Sequence, residues 1–185
     1  MNSSKLTGLE QITLTELTVH DFWSWAYSDI LSNRNRSIFA EFIVAAALGL
    51  THRPRVEWDA VDLHYCDKKI EVKSSAYIQS WQQKKPSLIK FDISKKKGWD
   101  AETNIMSELR CRLADCYVFS LYEEKDINNA NVLDLKRWIF LVVSTDRIDE
   151  SFGDQKMVVL ARLKQLGILT SYEGLKQAID LTLKL

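Results

Sequence analysis

Four residues carry side chains that suit one reaction: Glu41, Asp62, Glu71 and Lys73. Carboxylates bind a hard divalent ion such as magnesium through oxygen, leaving positions for water and a phosphate oxygen. An ion so held lowers the pKa of a bound water and offsets charge developing on a phosphoryl group. A neighbouring lysine orients or helps deprotonate that water and stabilises the same charge. The set suggests metal-assisted hydrolysis of a phosphodiester.

The triplet Glu71-Val72-Lys73 says little by itself. With 25 acidic residues and 16 lysines in 185 positions, roughly two acid-x-Lys triplets arise by chance. Five occur: Asp67/Lys69, Glu71/Lys73, Glu123/Lys125, Asp134/Lys136 and Asp154/Lys156. Its surroundings must distinguish the second from the others.

The first surrounding element is SIFAEFIVAAALGL, residues 37–50, which holds a single ionisable group, Glu41. Ile38, Val44, Ala45 and Leu48 surround it on a helical wheel. A helix apolar on nearly every side is buried, and a lone buried carboxylate costs several kcal/mol unless something compensates it. A salt bridge to Arg34 or Arg36, or a helix side that meets water, is the structural solution. A metal ion beside the sheet is the functional one.

The second element is a hairpin. Val56 to Tyr65 and Lys69 to Ser75 read as two strands around Asp67-Lys68. With an even loop, Tyr65 faces Ile70, His64 faces Glu71, Leu63 faces Val72 and Asp62 faces Lys73. Val61, Leu63, Tyr65, Ile70 and Val72 then share one face, and Asp62, His64, Glu71 and Lys73 the other. Asp59 has the opposite parity, so Asp62 is the expected partner of Glu71, unless a bulge reverses the choice. Alternation of this kind also describes any half-exposed antiparallel hairpin. The apolar continuation SSAYIQSW argues instead for a covered sheet.

The rest of the chain frames these elements. Residues 1–17 are weakly patterned, a short helix or an arm. TVHDFWSWAYSDIL, from Thr18, reads as a helix with Thr18 as cap and Asp21 in its first turn. A polar break, SNRNRS, precedes the Glu41 helix, which spans Ser37 to Leu48 and ends at Gly49. Ser87 to Ile93 reads as a short strand, and Ala101 to Leu113 as a helix. Ala114–Leu121 and Arg137–Val143 are apolar runs suited to central strands, joined by a polar connection. A last helix starts near Tyr172, with Thr170-Ser171 as caps. This order predicts an α/β fold in one domain over residues 1–185, a central mixed sheet flanked by helices.

Composition narrows the function classes. The chain is 46% hydrophobic with zero formal net charge, so any attraction to nucleic acid must be local. Cys66, Cys111 and Cys116 lack zinc-site spacing and are expected to be reduced thiols in a cytoplasmic protein. No apolar run suits a signal peptide or a membrane span.

Taken together, NRNRSIFAEFIVAAALG, WDAVDL and KIEVKSSAYIQSW resemble the PD-(D/E)XK, or restriction endonuclease-like, nuclease superfamily over about residues 34–81. The order of strands and helices extends the likeness loosely to about residue 143. Ala60-Val61 stand where the pattern's proline precedes the aspartate. The resemblance implies that Asp62 and Glu71 are metal ligands, Glu41 an auxiliary ligand and Lys73 the catalytic lysine. Gln79 matches a glutamine that some branches place near the site. Magnesium, with manganese as a substitute, is the implied cofactor.

The implied substrate is nucleic acid, most often DNA, cut by an endonuclease of restriction or DNA-processing type and possible homodimeric form. The alternative is a non-catalytic nucleic-acid-binding or interaction module of the same fold. Candidate phosphate contacts are Arg34 and Arg36, with Lys84, Lys85, Lys95, Lys96 and Lys97 from a basic segment interleaved with Trp81, Phe91 and Trp99. An ordinary solvated surface explains that segment equally well.

Overall fold

The computed structural model describes residues 5–57, 59–100 and 105–185; the side chains of residues 99, 100 and 105–107 lie outside the description. An arm leads from residue 5 to a bridge between Gln11 and Thr18. Helix α1, Val19–Tyr27, starts at Thr18, which forms a reciprocal capping box with Asp21. Helix α2, Asn33–Ala47, begins earlier than its apolar run suggests. Ser32 accepts the Asn35 N–H and draws the expected polar break into the first turn. The helix stops at Gly49, whose φ of 73° is costly for other residues.

Strand β1 is only Leu63–Tyr65, and β2 is Lys68–Ala76. Residues 59–62 bend instead of extending, with Asp59 accepting the Ala60 N–H. The expected strand from Val56 is therefore too long. Cys66 and Asp67 occupy the turn with φ of 49° and 60°, the left-handed pair of a two-residue I′ loop. That turn fixes Leu63 opposite Ile70 and His64 opposite Lys69, two residues from the expected register. A slip of two preserves the faces for β1. Val61, beyond the end of the strand, departs from them and is buried on the other side of the sheet.

Next come β3, Lys90–Asp92, β4, Lys96–Asp100, and β5, Ile105–Cys111. The helix expected from Ala101 is corrected to a strand from Ile105; residues 101–104 lie outside the described residues. Pairing of β4 with β5 overrides the local helical pattern. Strands β6, Cys116–Tyr122, and β7, Trp138–Ser144, match the two apolar runs. They are followed by α3, Thr145–Phe152, β8, Met157–Val159, α4, Leu160–Leu163, β9, Ile168–Thr170, and α5, Leu175–Leu183. Thr170 lies in β9, and no side chain caps α5.

The central sheet has the order β1-β2-β6-β7-β9 and is mixed, since only β2 and β6 run parallel. Alternation along β6 feeds two cores. Cys116, Val118 and Tyr122 pack with α2 and α5, whereas Tyr117, Phe119 and Leu121 pack with β3, β8 and α3. Both faces of the sheet are thus covered, as the apolar extension of β2 implied. Phe91 belongs to the second core rather than to an exposed basic segment. The three cysteines are free thiols. Among the described residues no helix is long and apolar enough to cross a membrane.

Candidate active site

Alternation along β2 sends Ile70 and Val72 into the α2 core and turns Glu71 and Lys73 to the opposite face. There Glu71 neighbours Tyr117 of β6 and is only 7% exposed. Its Oε1 accepts hydrogen bonds from the Lys73 ammonium and, at 3.2 Å, from Lys96 at the start of β4. Asp62 stands where β1 gives way to the bend, and its Oδ2 accepts the Val72 N–H at 2.7 Å. That bond ties the aspartate to the strand that carries Glu71 and Lys73.

Glu41 comes from α2, on the other face of the sheet, and is 8% exposed. Its compensating cation is Arg55: the guanidinium binds both carboxylate oxygens, with Nη2 at 3.1 Å from Oε1. Neither Arg34 nor Arg36 supplies that charge, because the loop after α2 brings Arg55 over the helix. Glu41, Asp62 and Arg55 line one cleft of about 500 Å³, with Asp59 and His64 paired at 3.1 Å on its wall.

The carboxyl of Asp62 is pushed up to about 6, first by burial and then by the negative charges of Glu71 and Glu41. Asp62 therefore lies in the field of both other carboxylates, although they arrive from opposite faces of the sheet. Asp92 on β3 joins this field; burial raises it, but hydrogen bonds from Ser94 and the charges of Lys73 and Lys96 hold it below the ordinary aspartate range. Counting Asp62, Glu71, Glu41 and Asp92 against Lys73, Lys96 and Arg55 leaves one negative charge when all are ionised. An approaching phosphate would add another.

Among the described residues, no group of three or more His, Cys, Asp or Glu side chains is arranged to hold a metal ion. The donor set nevertheless has the right chemistry for a hard divalent cation: largely buried carboxylate oxygens, with Asp62 pushed up by burial and by the charges of Glu71 and Glu41. Asp62 and Glu71 fit as two ligands. Glu41 fits as a third only when Arg55 releases it.

The structure therefore brings Asp62, Glu71 and Lys73 together and sets Glu41 at the margin. Gln79 lies past the end of β2, in a separate buried cluster. It accepts from Arg36 at 3.3 Å and donates to the Ala76 carbonyl and to Ser87, both at 3.2 Å. Arg36, 3% exposed, is turned inward, and burial lowers it to about 10. Arg34 is exposed and lines a second cleft with Trp23, Tyr27, Phe39 and Phe42. That cleft shares Ile38, Phe42 and Arg55 with the first.

The lysines scatter. Lys84 and Lys85 are exposed beside Trp81 and Lys125; Lys95 pairs with Asp154 at 2.9 Å; Lys96 reaches Glu71; Lys97 faces solvent opposite Arg110. Trp81 is exposed, and the side chain of Trp99 lies outside the described residues. Sequence reasoning missed Arg55 and Asp92, which no spacing ties to the triplet. The one signal for Arg55 was the unmet need of Glu41 for a cation.

Against known proteins, the family model of bacteriophage T4 endonuclease IV matches residues 23–156, about seven-tenths of the chain and all of the candidate site residues. No curated protein and no solved structure matches.

Proposed function

The chain belongs to the bacteriophage T4 endonuclease IV family, and from that premise we propose that it is a divalent-metal-dependent nuclease of the PD-(D/E)XK type that cuts DNA. The observation that carries this reading is the raised carboxyl of Asp62, which shares a field with Glu71 and Glu41 while Lys73 lies on Glu71. Support comes from the contacts around the triplet: Lys73 and Lys96 lie on Glu71 and Asp62 accepts the Val72 N–H, while Glu41 stays paired with Arg55.

Asp62 and Glu71 would hold magnesium or manganese, with Glu41 as an auxiliary ligand. When bound, the ion supplies Lewis-acid chemistry, making a coordinated water more acidic and offsetting charge on the phosphoryl oxygens. The chain's own groups do the rest. The Lys73 ammonium, beside Glu71, orients the attacking water and stabilises the negative charge that builds as its oxygen bonds to phosphorus and the ester P–O bond breaks. The Val72 N–H holds Asp62 in line, so its position does not depend on a free rotamer. Arg34 and the exposed Lys84, Lys85 and Lys97 would meet backbone phosphates away from the reaction centre. Gln79, through Arg36, positions the end of β2 instead of touching the reacting atoms.

Incubating the purified protein with single-stranded and duplex DNA, with magnesium or manganese and with EDTA, tests this. Cleavage should need the divalent ion, and Glu71→Gln and Lys73→Met should each lower it by at least about a hundredfold while the far-UV and thermal signatures stay those of the parent. If both folded variants cut as fast as the parent, the assignment is wrong. Calorimetric titration with manganese adds a readout independent of turnover: Asp62→Asn and Glu71→Gln should abolish binding.

A further inference from the structure

We propose that Lys96 is a second catalytic lysine: its ammonium rests on Glu71 in the free protein and contacts the phosphate being cut when substrate is bound. The inference rests on the nuclease reading above and adds a residue that reaches the centre from outside the central sheet.

Glu71 Oε1 receives two ammonium groups, yet one suffices to balance its charge. Lys73 comes from the same strand two residues away, and its side chain is only 21% exposed. Lys96 begins β4, a strand that among the described residues pairs only with β5, and its side chain is 56% exposed. An ammonium has three donors. Lys96 donates to Glu71 at 3.2 Å, and with its side chain 56% exposed it has donors to spare. It can therefore donate to an oxyanion without abandoning the carboxylate, which the enclosed Lys73 is less free to do.

Its neighbours in sequence do not share this placement. Lys95 is held by Asp154 at 2.9 Å, and Lys97, one residue along the strand, falls on the other face of β4 opposite Arg110. The run Lys95-Lys96-Lys97 thus divides three ways. During hydrolysis a bond forms from the water oxygen to phosphorus and the ester P–O bond breaks. Negative charge gathers on the non-bridging and leaving oxygens, where a fixed ammonium is most effective. Lys96 transfers no proton in this role.

The test compares Lys96→Met, Lys96→Arg and, as a charge-matched control, Lys69→Met, an exposed lysine on β2. Steady-state cleavage of the DNA form that the parent cuts best is measured alongside calorimetric titration of the DNA-free proteins with manganese. Lys96→Met should lose roughly 10- to 100-fold in kcat with KM little changed, Lys96→Arg should recover part of the loss, and Lys69→Met should match the parent. Manganese should bind Lys96→Met as tightly as the parent or tighter, because a competing cation has left Glu71. Lys96→Gln replaces the methionine variant if that one melts below the parent.

An unchanged kcat overturns the role. So does manganese affinity that falls in step with kcat, which would mark Lys96 as a prop for Glu71. A parent that cuts no DNA form sinks the nuclease reading and this inference together. A cutting parent with an indifferent Lys96→Met sinks only the latter.

Discussion

At the scale of single residues, the site is defined by charges that are close and imperfectly cancelled. Asp62 is its most informative member. An aspartate held at about 6 in the folded chain, against about 3.9 when unfolded, keeps its proton more tightly in the native state. The stability this contributes is present below the unfolded value and is lost as pH rises through about 6. In divalent-free buffer, Asp62→Asn should therefore be more stable than the parent at pH 7.5, by up to about 3 kcal/mol, and the gap should close by pH 4. Urea unfolding at several pH values measures it, and a difference independent of pH would remove the case for crowded carboxylates. Glu41 makes the complementary point. Its pairing with Arg55 is half-buried, so Arg55→Ala should cost about 1–3 kcal/mol, read from the same unfolding curves, and added magnesium should restore part of it if Glu41 joins the ion.

At the scale of elements, the hairpin decides which carboxylates can meet. A two-residue turn with both residues left-handed sets Leu63 against Ile70, and β1 begins one residue after Asp62. Cys66 and Asp67 are poor choices for that turn compared with Asn-Gly. The double change Cys66→Asn, Asp67→Gly should raise stability by roughly 0.5–1 kcal/mol and leave cleavage as it is, since the register does not move. A drop in stability would show that the turn is not the I′ type. The same scale explains two departures from the local reading. β5 has helical spacing yet extends because β4 offers it a partner, and the arginines before the Glu41 helix fall inside it because Ser32 caps earlier. Side-chain parity survives a two-residue slip, so His64 stays on the Lys69, Glu71 and Lys73 side of the hairpin although the register is displaced.

For the whole molecule, β6 is the common wall of two cores, one beneath α2 and one beneath β3, β8 and α3. Damage to either should propagate through the shared sheet. Phe119→Ala, which empties a site 1% exposed, is expected to cost about 3–5 kcal/mol. Circular dichroism and tryptophan fluorescence should still report one coincident transition; two separated transitions would mean that the cores unfold independently. Zero net charge also bears on binding: with a few scattered cations touching phosphate, DNA affinity should fall with salt at a slope of only a few counterions.

The amino-acid sequence by itself determined the α/β pattern, the two central strands and the triplet Glu71-Val72-Lys73, together with the expectation that Glu41 needs a compensating charge. These follow from periodicity and from the cost of burying a lone carboxylate, both local properties of the chain. Only the tertiary structure decided that the charge comes from Arg55, that Arg36 and Gln79 bind each other, and that Lys96 alone of three adjacent lysines reaches Glu71. Arg55 lies 14 residues from Glu41, Gln79 lies 43 from Arg36, and Lys96 lies 25 from Glu71. Contacts at those separations depend on how loops close and which strands pair, and neither is written in the spacing of residue types.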